Sequence, residues 1–291
     1  MATRRSFLAG LLAAFLLPVP LWAESESPPG PLREKDLPRH ILRDQKFFWL
    51  RPFRAQRQDL ATWTLLAGGT AVLLPLDSPA ARGLAVRPPG DGFDFSRRVG
   101  QLSGGGVDFA VAGGFYLFGR LRHDERARET GLLGAQAVAD ALIITELLKT
   151  AAGRSRPTRN RGRELIDDAD GEFAKARRSF PSGHALQAWA LATVIGEEYR
   201  HNPWVRYSAF SLAGFVSVAR VTGRKHFPSD VFVGSILGYL VGRHVFQSHH
   251  RVSPSAPPAS LPVKRATLRW HVGPGSSPVT GQVALALTFQ F

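Results

Sequence analysis

The sequence predicts a mainly α protein: a bundle of about six core helices with an active site at one end, followed by a short C-terminal β-hairpin. Apolar, Ala/Gly/Leu-rich segments at about 61–76, 107–119, 131–149, 185–198, 206–222 and 230–246 have the length and composition of helices. Gly and Ala within them suit close helix–helix contact. After about Gln247 the composition changes, and the end of the chain alternates. Leu268, Trp270 and Val272 share one face, and Val283, Leu285, Leu287, Phe289 and Phe291 share another. Gly273 to Pro278 reads as the turn between two strands.

Taken in order, residues 1–23 read as an export signal. Arg4-Arg5 supply the positive start, Phe7 to Leu17 the apolar run, and Leu21-Trp22-Ala23 a cleavage site. Thr3 to Leu8 also fits a twin-arginine pattern, so the export route stays open. Residues 24–60 form a leader and an amphipathic segment. Its Phe47, Phe48, Trp49 and Phe53 are expected to pack on the core rather than to act as a lid or membrane contact. Residues 61–247 are the helical domain, in which 158–180 is a polar loop that serves either as a substrate collar or as solvated surface. Residues 248–265 read as a linker, and 266–291 as the two-strand tail. A lone hairpin is marginal in water, so the tail is expected to pack on the bundle or on another copy.

Composition narrows the partners. The chain of 291 residues has no Cys, which excludes a disulfide framework and a thiolate metal site. A net charge of +14 points to an anionic partner, a phosphate ester or an acidic lipid surface. Its Arg residues are scattered and no nucleic-acid-binding motif is present, so nucleic acid is not expected. The adjacent His249-His250 read as polar surface rather than a metal site. A membrane span needs about 20 largely apolar residues. The six segments fall short of that or carry Asp108, Asp140, Glu146, Arg220 or Arg243. The expectation is therefore an exported protein of the periplasm or cell envelope, soluble or peripheral rather than integral to the membrane.

Between Lys149 and Asp230 the chain concentrates groups that suit phosphate. Lys149 is followed after six residues by Arg156-Pro157. Pro181-Ser182-Gly183-His184 comes next, and then Arg220, His226 after five residues, and Asp230 after three more. Unpaired charge is costly to bury, so these residues are a poor recipe for a core. They are a good recipe for a phosphate dianion: Arg offers a planar fork, Lys a point charge, and His a nucleophile or proton donor near neutral pH.

These three motifs, in this order, resemble those of the type 2 phosphatidic acid phosphatase family, which also includes class A bacterial acid phosphatases and vanadium haloperoxidases. Ala219 departs from the pattern, because the family has Ser there. The resemblance implies a helical fold and assigns His226 as nucleophile, forming a phosphohistidine. His184 becomes the general acid and Asp230 the carboxylate that orients the His226 ring. Lys149, Arg156, Ser182, Gly183 and Arg220 become phosphate ligands. Ser182 also reads as the N-cap of the helix that follows, whose free N–H groups suit an anion. Arg154 and Arg224 match no motif position and receive no role. The implied activity is a metal-independent phosphatase with no cofactor, acting on a phosphorylated lipid, an isoprenoid pyrophosphate or a small ester. Two alternatives stay open: a vanadium haloperoxidase holding vanadate in the same pocket, and a non-catalytic phosphate-binding protein of the envelope. Neither the oligomeric state nor the substrate follows from the motifs.

Overall fold

The computed structural model describes residues 33–54, 56–86, 90–157, 178–250, 271–276 and 283–288. Its helices are α1 (Leu37–Leu50), α2 (Leu60–Ala85), α3 (Asp91–Leu102), α4 (Gly105–Arg122), α5 (Glu125–Ala152), α6 (Gly183–Glu198), α7 (Pro203–Thr222) and α8 (Pro228–His250). The chain divides into two compact units, residues 1–251 and 252–291. The export signal, most of the polar loop and the linker lie outside the described residues.

Local chemistry sets the helix ends. Asp124 accepts a bond from the Ala127 amide at 3.1 Å and starts α5. Gly153 ends it at φ 54°, a left-handed position that suits glycine. Asn202 caps α7 through the Trp204 and Val205 amides, with Pro203 in the first turn.

Helix α6 is buried along most of its length and forms the axis of the bundle, with α5, α7 and α8 packed round it. Leu132, Leu133, Ala137 and Ile144 of α5 meet Leu186 and Val194 of α6 and Val241 and Val245 of α8 in the main core. Glycines bring α8 onto α6 at backbone distance. A Cβ on Gly234, Gly238 or Gly242 would lie 2.6, 2.2 and 2.3 Å from the carbonyl oxygens of Ser182, Leu186 and Ala190. The spacing of four keeps all three on one helix face.

The aromatic segment packs on the core only in part: α1 sets Leu37 and Phe48 against it and buries Asp44 and Gln45, while Trp49 and Phe53 are exposed. Gln45 donates to Asp140 at 2.8 Å, and Gln136 donates to Asp44 at 2.6 Å. Helix α3 is an addition to the sequence reading.

The expectation of a soluble or peripheral bundle is corrected. Helices α2 and α5 are long and apolar enough to cross a membrane, and Leu60–Leu84 is only 17% buried over its apolar window. The sequence reading ended the first segment at residue 76, but α2 continues through Pro75 and Pro79 to Ala85. At 26 residues it is about 39 Å long, more than the roughly 30 Å hydrocarbon core of a bilayer. Of the charges that argued against spans, Asp108, Asp140 and Arg220 are buried while Glu146 is exposed, and Asp77, on the extension of α2, is buried as well. Intramembrane ionisable groups face the bundle interior in this way. The outer faces are apolar instead, with Val72, Leu74 and Leu76 on α2, Leu117 and Phe118 on α4, and Leu212 and Phe215 on α7. The two long apolar helices and these outer faces point to a protein integral to the membrane rather than soluble or peripheral.

In the second unit, β1 (His271–Ser276) pairs antiparallel with β2 (Val283–Thr288), Pro274 standing opposite Leu285. The hairpin was expected, but Gly273 to Ser276, read as turn, belong to the first strand. Leu268 and Trp270 lie outside the described residues.

Candidate active site

The C-terminal end of α5, the N-termini of α6 and α8, and the turn after α7 meet at one end of the first unit, and every motif residue sits there. Gly183 opens α6 so close to α5 that a Cβ would lie 2.8 Å from Thr145 and 3.3 Å from Lys149 Nζ. Lys149 therefore presents its ammonium group at the start of α6. It also pairs with Glu146 at 3.2 Å, and Glu146 meets Arg178.

After α7 the chain folds into a tight turn. The amides of Lys225 and His226 both bond the Arg220 carbonyl, at 3.1 and 3.2 Å. Arg220 is buried, and its Nη1 donates to the carbonyl of Gly100 on α3 at 2.8 Å. A Cβ at Gly100 would lie 2.4 Å from that nitrogen, so only glycine leaves room for the guanidinium. His184, in the first turn of α6, borders Gly104 at the start of α4. There φ is 127°, and a Cβ would lie 2.9 Å from Nε2.

His226 is 2% exposed. Its Nδ1 lies 2.8 Å from the Ser179 carbonyl and 3.7 Å from Asp230 Oδ2. A carbonyl only accepts, so Nδ1 carries the proton and Nε2 holds the free lone pair. The sequence reading gave the orienting contact to Asp230. The structure gives the shorter one to Ser179, with Asp230 behind it: Ser179 Oγ donates to Asp230 Oδ2 at 2.6 Å. The Phe227 amide donates to the same oxygen at 2.9 Å. Burial holds the His226 ring below the usual imidazole pKa, against the opposing pull of Asp230. Burial likewise lowers Arg156, which Asp230 opposes.

Sequence reasoning missed the next layer. Arg154 Nη1 donates to Asp230 Oδ1 at 2.6 Å and to Ser229 Oγ at 2.7 Å, while its Nη2 donates to Asp77 Oδ2 at 2.5 Å. Asp77 comes from α2, is 2% exposed, and also accepts from the Ser229 amide at 3.0 Å and from the Ser229 hydroxyl. A lone Asp in an apolar run was the available signal for this contact.

Ser182 does not cap α6 through its side chain. Its hydroxyl is buried without a hydrogen-bond partner, as are Arg156 Nε, Arg220 Nε and Thr145 Oγ1. Buried polar atoms are ordinarily satisfied, so unfilled donors beside two histidines are what an anion site requires. The positive charges of Arg220, Lys149 and Arg156 all act on His184. A cavity of about 220 Å³ adjoins His226, walled by Ala81, Leu84, Phe93, Val221 and Phe227.

One end of the helical bundle thus carries a cationic, histidine-bearing site. Residues 130–254, from the first turns of α5 to just past the end of α8, match the PAP2 superfamily. The chain is 38% identical over 68 residues to a lipid A 1-phosphatase of Porphyromonas gingivalis, covering 23% of this chain and 15% of that one. It is 27% identical over 154 residues to a PA-phosphatase related-family protein of Dictyostelium discoideum, covering 48% of this chain and 55% of that one. The chain thus spans about half, or less, of the length of these curated relatives. Among solved structures it is similar to a transmembrane PAP2 type phosphatidylglycerolphosphate phosphatase from Bacillus subtilis. That similarity has 18% identity and a TM-score of 0.47 over 67% of this chain and 98% of that one.

Proposed function

We propose that the protein is a membrane-embedded, metal-independent phosphatase that removes a phosphate monoester from a lipid through a phosphohistidine on His226. The observation that carries this is the set of unpartnered buried donors, Ser182 Oγ, Arg156 Nε and Arg220 Nε, facing a histidine whose Nε2 is free.

Lys149, Arg156, Arg220, Ser182 Oγ and the Gly183 amide hold the phosphoryl oxygens. His226 Nε2 attacks phosphorus, forming the N–P bond as the P–O bond to the lipid breaks. The ring gains positive charge, which the Ser179 carbonyl on Nδ1–H and the nearby Asp230 carboxylate stabilise. His184 gives its proton to the leaving oxygen. It then takes one from the water that attacks phosphorus, and phosphate leaves with His226 restored. Burial first, and the cations around it second, oppose a proton on His184; a bound phosphate dianion offsets the cations and so favours the acid form.

The apolar cavity beside His226 favours a substrate whose phosphate is attached to an apolar body. The name of the Porphyromonas relative places lipid A first in the panel. The test is phosphate release by detergent-purified protein in EDTA from lipid A, phosphatidic acid, an isoprenoid pyrophosphate and a chromogenic monoester. Turnover of a lipid, its loss in His226→Ala, and an acid-labile, base-stable phosphoenzyme are expected. A phosphoenzyme that persists in His226→Ala would overturn the nucleophile, and a strict requirement for added metal would overturn the mechanism.

A further inference from the structure

Helices α5, α6 and α8 each bring one end to the phosphate site. Their other ends also meet. Glu129 lies 20 residues before Lys149 on α5, and His250 lies 20 residues after Asp230 on α8, each about 30 Å away along its helix. Glu198 closes α6. There His250 Nε2 stands 3.2 Å from Glu198 Oε1 and 3.9 Å from Glu129 Oε1, and all three ligand atoms lie within 4.8 Å of one another.

The imidazole is already oriented. Its Nδ1 lies 3.1 Å from the Phe246 carbonyl, so Nδ1 carries the proton and Nε2 turns a lone pair towards two carboxylates. The ring also stacks on Phe246 at 4.2 Å, which fixes its plane. The Glu198 side chain is 6% exposed, yet its Oε1 accepts no hydrogen bond. The neighbouring cation Arg126 lies over the Tyr199 ring at 5.8 Å. Two carboxylate oxygens and an imidazole lone pair that converge without a donor call for a proton or a cation among them.

We infer that Glu129, Glu198 and His250 form a divalent transition-metal site, suited to Zn²⁺, that ties together the ends of α5, α6 and α8 remote from the phosphate. Tetrahedral Zn²⁺ with bonds of about 2.0–2.1 Å sets its ligands about 3.3–3.5 Å apart, near the 3.2 Å between His250 and Glu198, and Glu129, 3.9 Å from His250, closes in by a few tenths of an ångström. One nitrogen and two oxygens suit zinc better than magnesium, which prefers all-oxygen octahedra. The Phe246 carbonyl supplies the outer support that metal-bound histidines need. His250 and Glu129 are 31% and 38% exposed, which opens a path from solvent and leaves a coordination position for water. The site is structural and stands apart from the phosphatase reading.

The test titrates ZnCl₂ into the full-length, EDTA-stripped protein in detergent, by calorimetry and by thermal melting, beside Glu198→Gln and Glu129→Gln. Expected are one Zn²⁺ per chain, a rise of several degrees in the wild-type melting midpoint, and at least a ~10-fold weaker affinity in either variant. Both substitutions are isosteric and remove one ligand charge. If wild type and both variants bind zinc alike, or none binds it, the site is wrong and His250 is simply an ion-pair partner. His40 and His249 have ring centroids 4.7 Å apart, and binding lost in His249→Ala but kept in Glu198→Gln would move the metal to that pair and equally overturn the assignment. Lipid phosphatase activity measured well below the melting midpoint is expected to be unchanged in both Glu variants. A failed phosphatase assay therefore leaves this result readable.

Discussion

The contact that orients His226 comes from a backbone oxygen, and this separates positions that look alike in the sequence. Ser182 has a buried hydroxyl with no partner. Ser182→Ala therefore removes no internal bond, and the melting temperature is expected to hold while KM rises about 10-fold through a lost hydrogen bond to charged phosphate. Arg154 is the opposite case. Arg154→Ala leaves Asp77 and Asp230 buried without their cation. It is expected to cost about 3 kcal/mol of stability in a melt and also to lower kcat, since Asp230 then loses its place behind Ser179. A third prediction concerns pH. Burial lowers the folded pKa of His226 below the usual imidazole value, so its ring stays neutral below about 6.5. The acidic limb of kcat/KM that His226 sets should fall below 6.5, and a limb above that value would contradict the burial argument. By the same sign, the unfolded chain takes up the proton first. The stability from the neutral ring is present above the unfolded pKa and lost as pH falls towards the folded one. The spacing of His226, His184, Lys149, Arg156 and Arg220 made the charged groups legible. Ser179 was not legible, because a carbonyl oxygen leaves no signature in residue type. Arg154 was passed over because its partner, Asp77, lies 77 residues away on another helix.

Helices were legible where an apolar segment coincided with a whole element, as at 185–198 against Gly183–Glu198. They were less so where polar ends extended an apolar centre. Helix α5 begins at Glu125, six residues before the apolar stretch, because Asp124 caps it. Helix α3 went unseen because its Gly, Asp and Arg content hides an amphipathic face, though Gly100 and Ser96 on it are buried against α7. The α6–α8 contact rests on Gly234, Gly238 and Gly242, whose role follows from tight packing rather than from periodicity. Gly238→Ala places a methyl group against the Leu186 carbonyl and is expected to cost about 1–3 kcal/mol, measured as a lower melting midpoint in detergent. Gly234 touches the Ser182 carbonyl instead. Gly234→Ala should therefore depress turnover more than Gly238→Ala at equal loss of stability.

At the scale of the molecule, segment-by-segment counting underrated the membrane. It counted Asp108 and Asp140 as charges against a span, when burial places them inside the bundle, and it ended the first segment one residue short of the buried Asp77. Fractionation should leave the protein in the membrane pellet after an alkaline carbonate wash and release it with detergent. Recovery in the wash would reverse the correction made to the expected soluble state. Helix α2 links the two settings. Its outer face carries exposed Val72, Leu74 and Leu76, while its Asp77 holds Ser229 and Arg154 behind His226. A helix that tilts to match the thickness of its bilayer carries its inward carboxylate with it. Reconstituted into lipids of graded acyl length, the protein should therefore show a turnover optimum at one chain length, and Asp77→Asn should flatten it: the bilayer becomes a mechanical input to the chemistry.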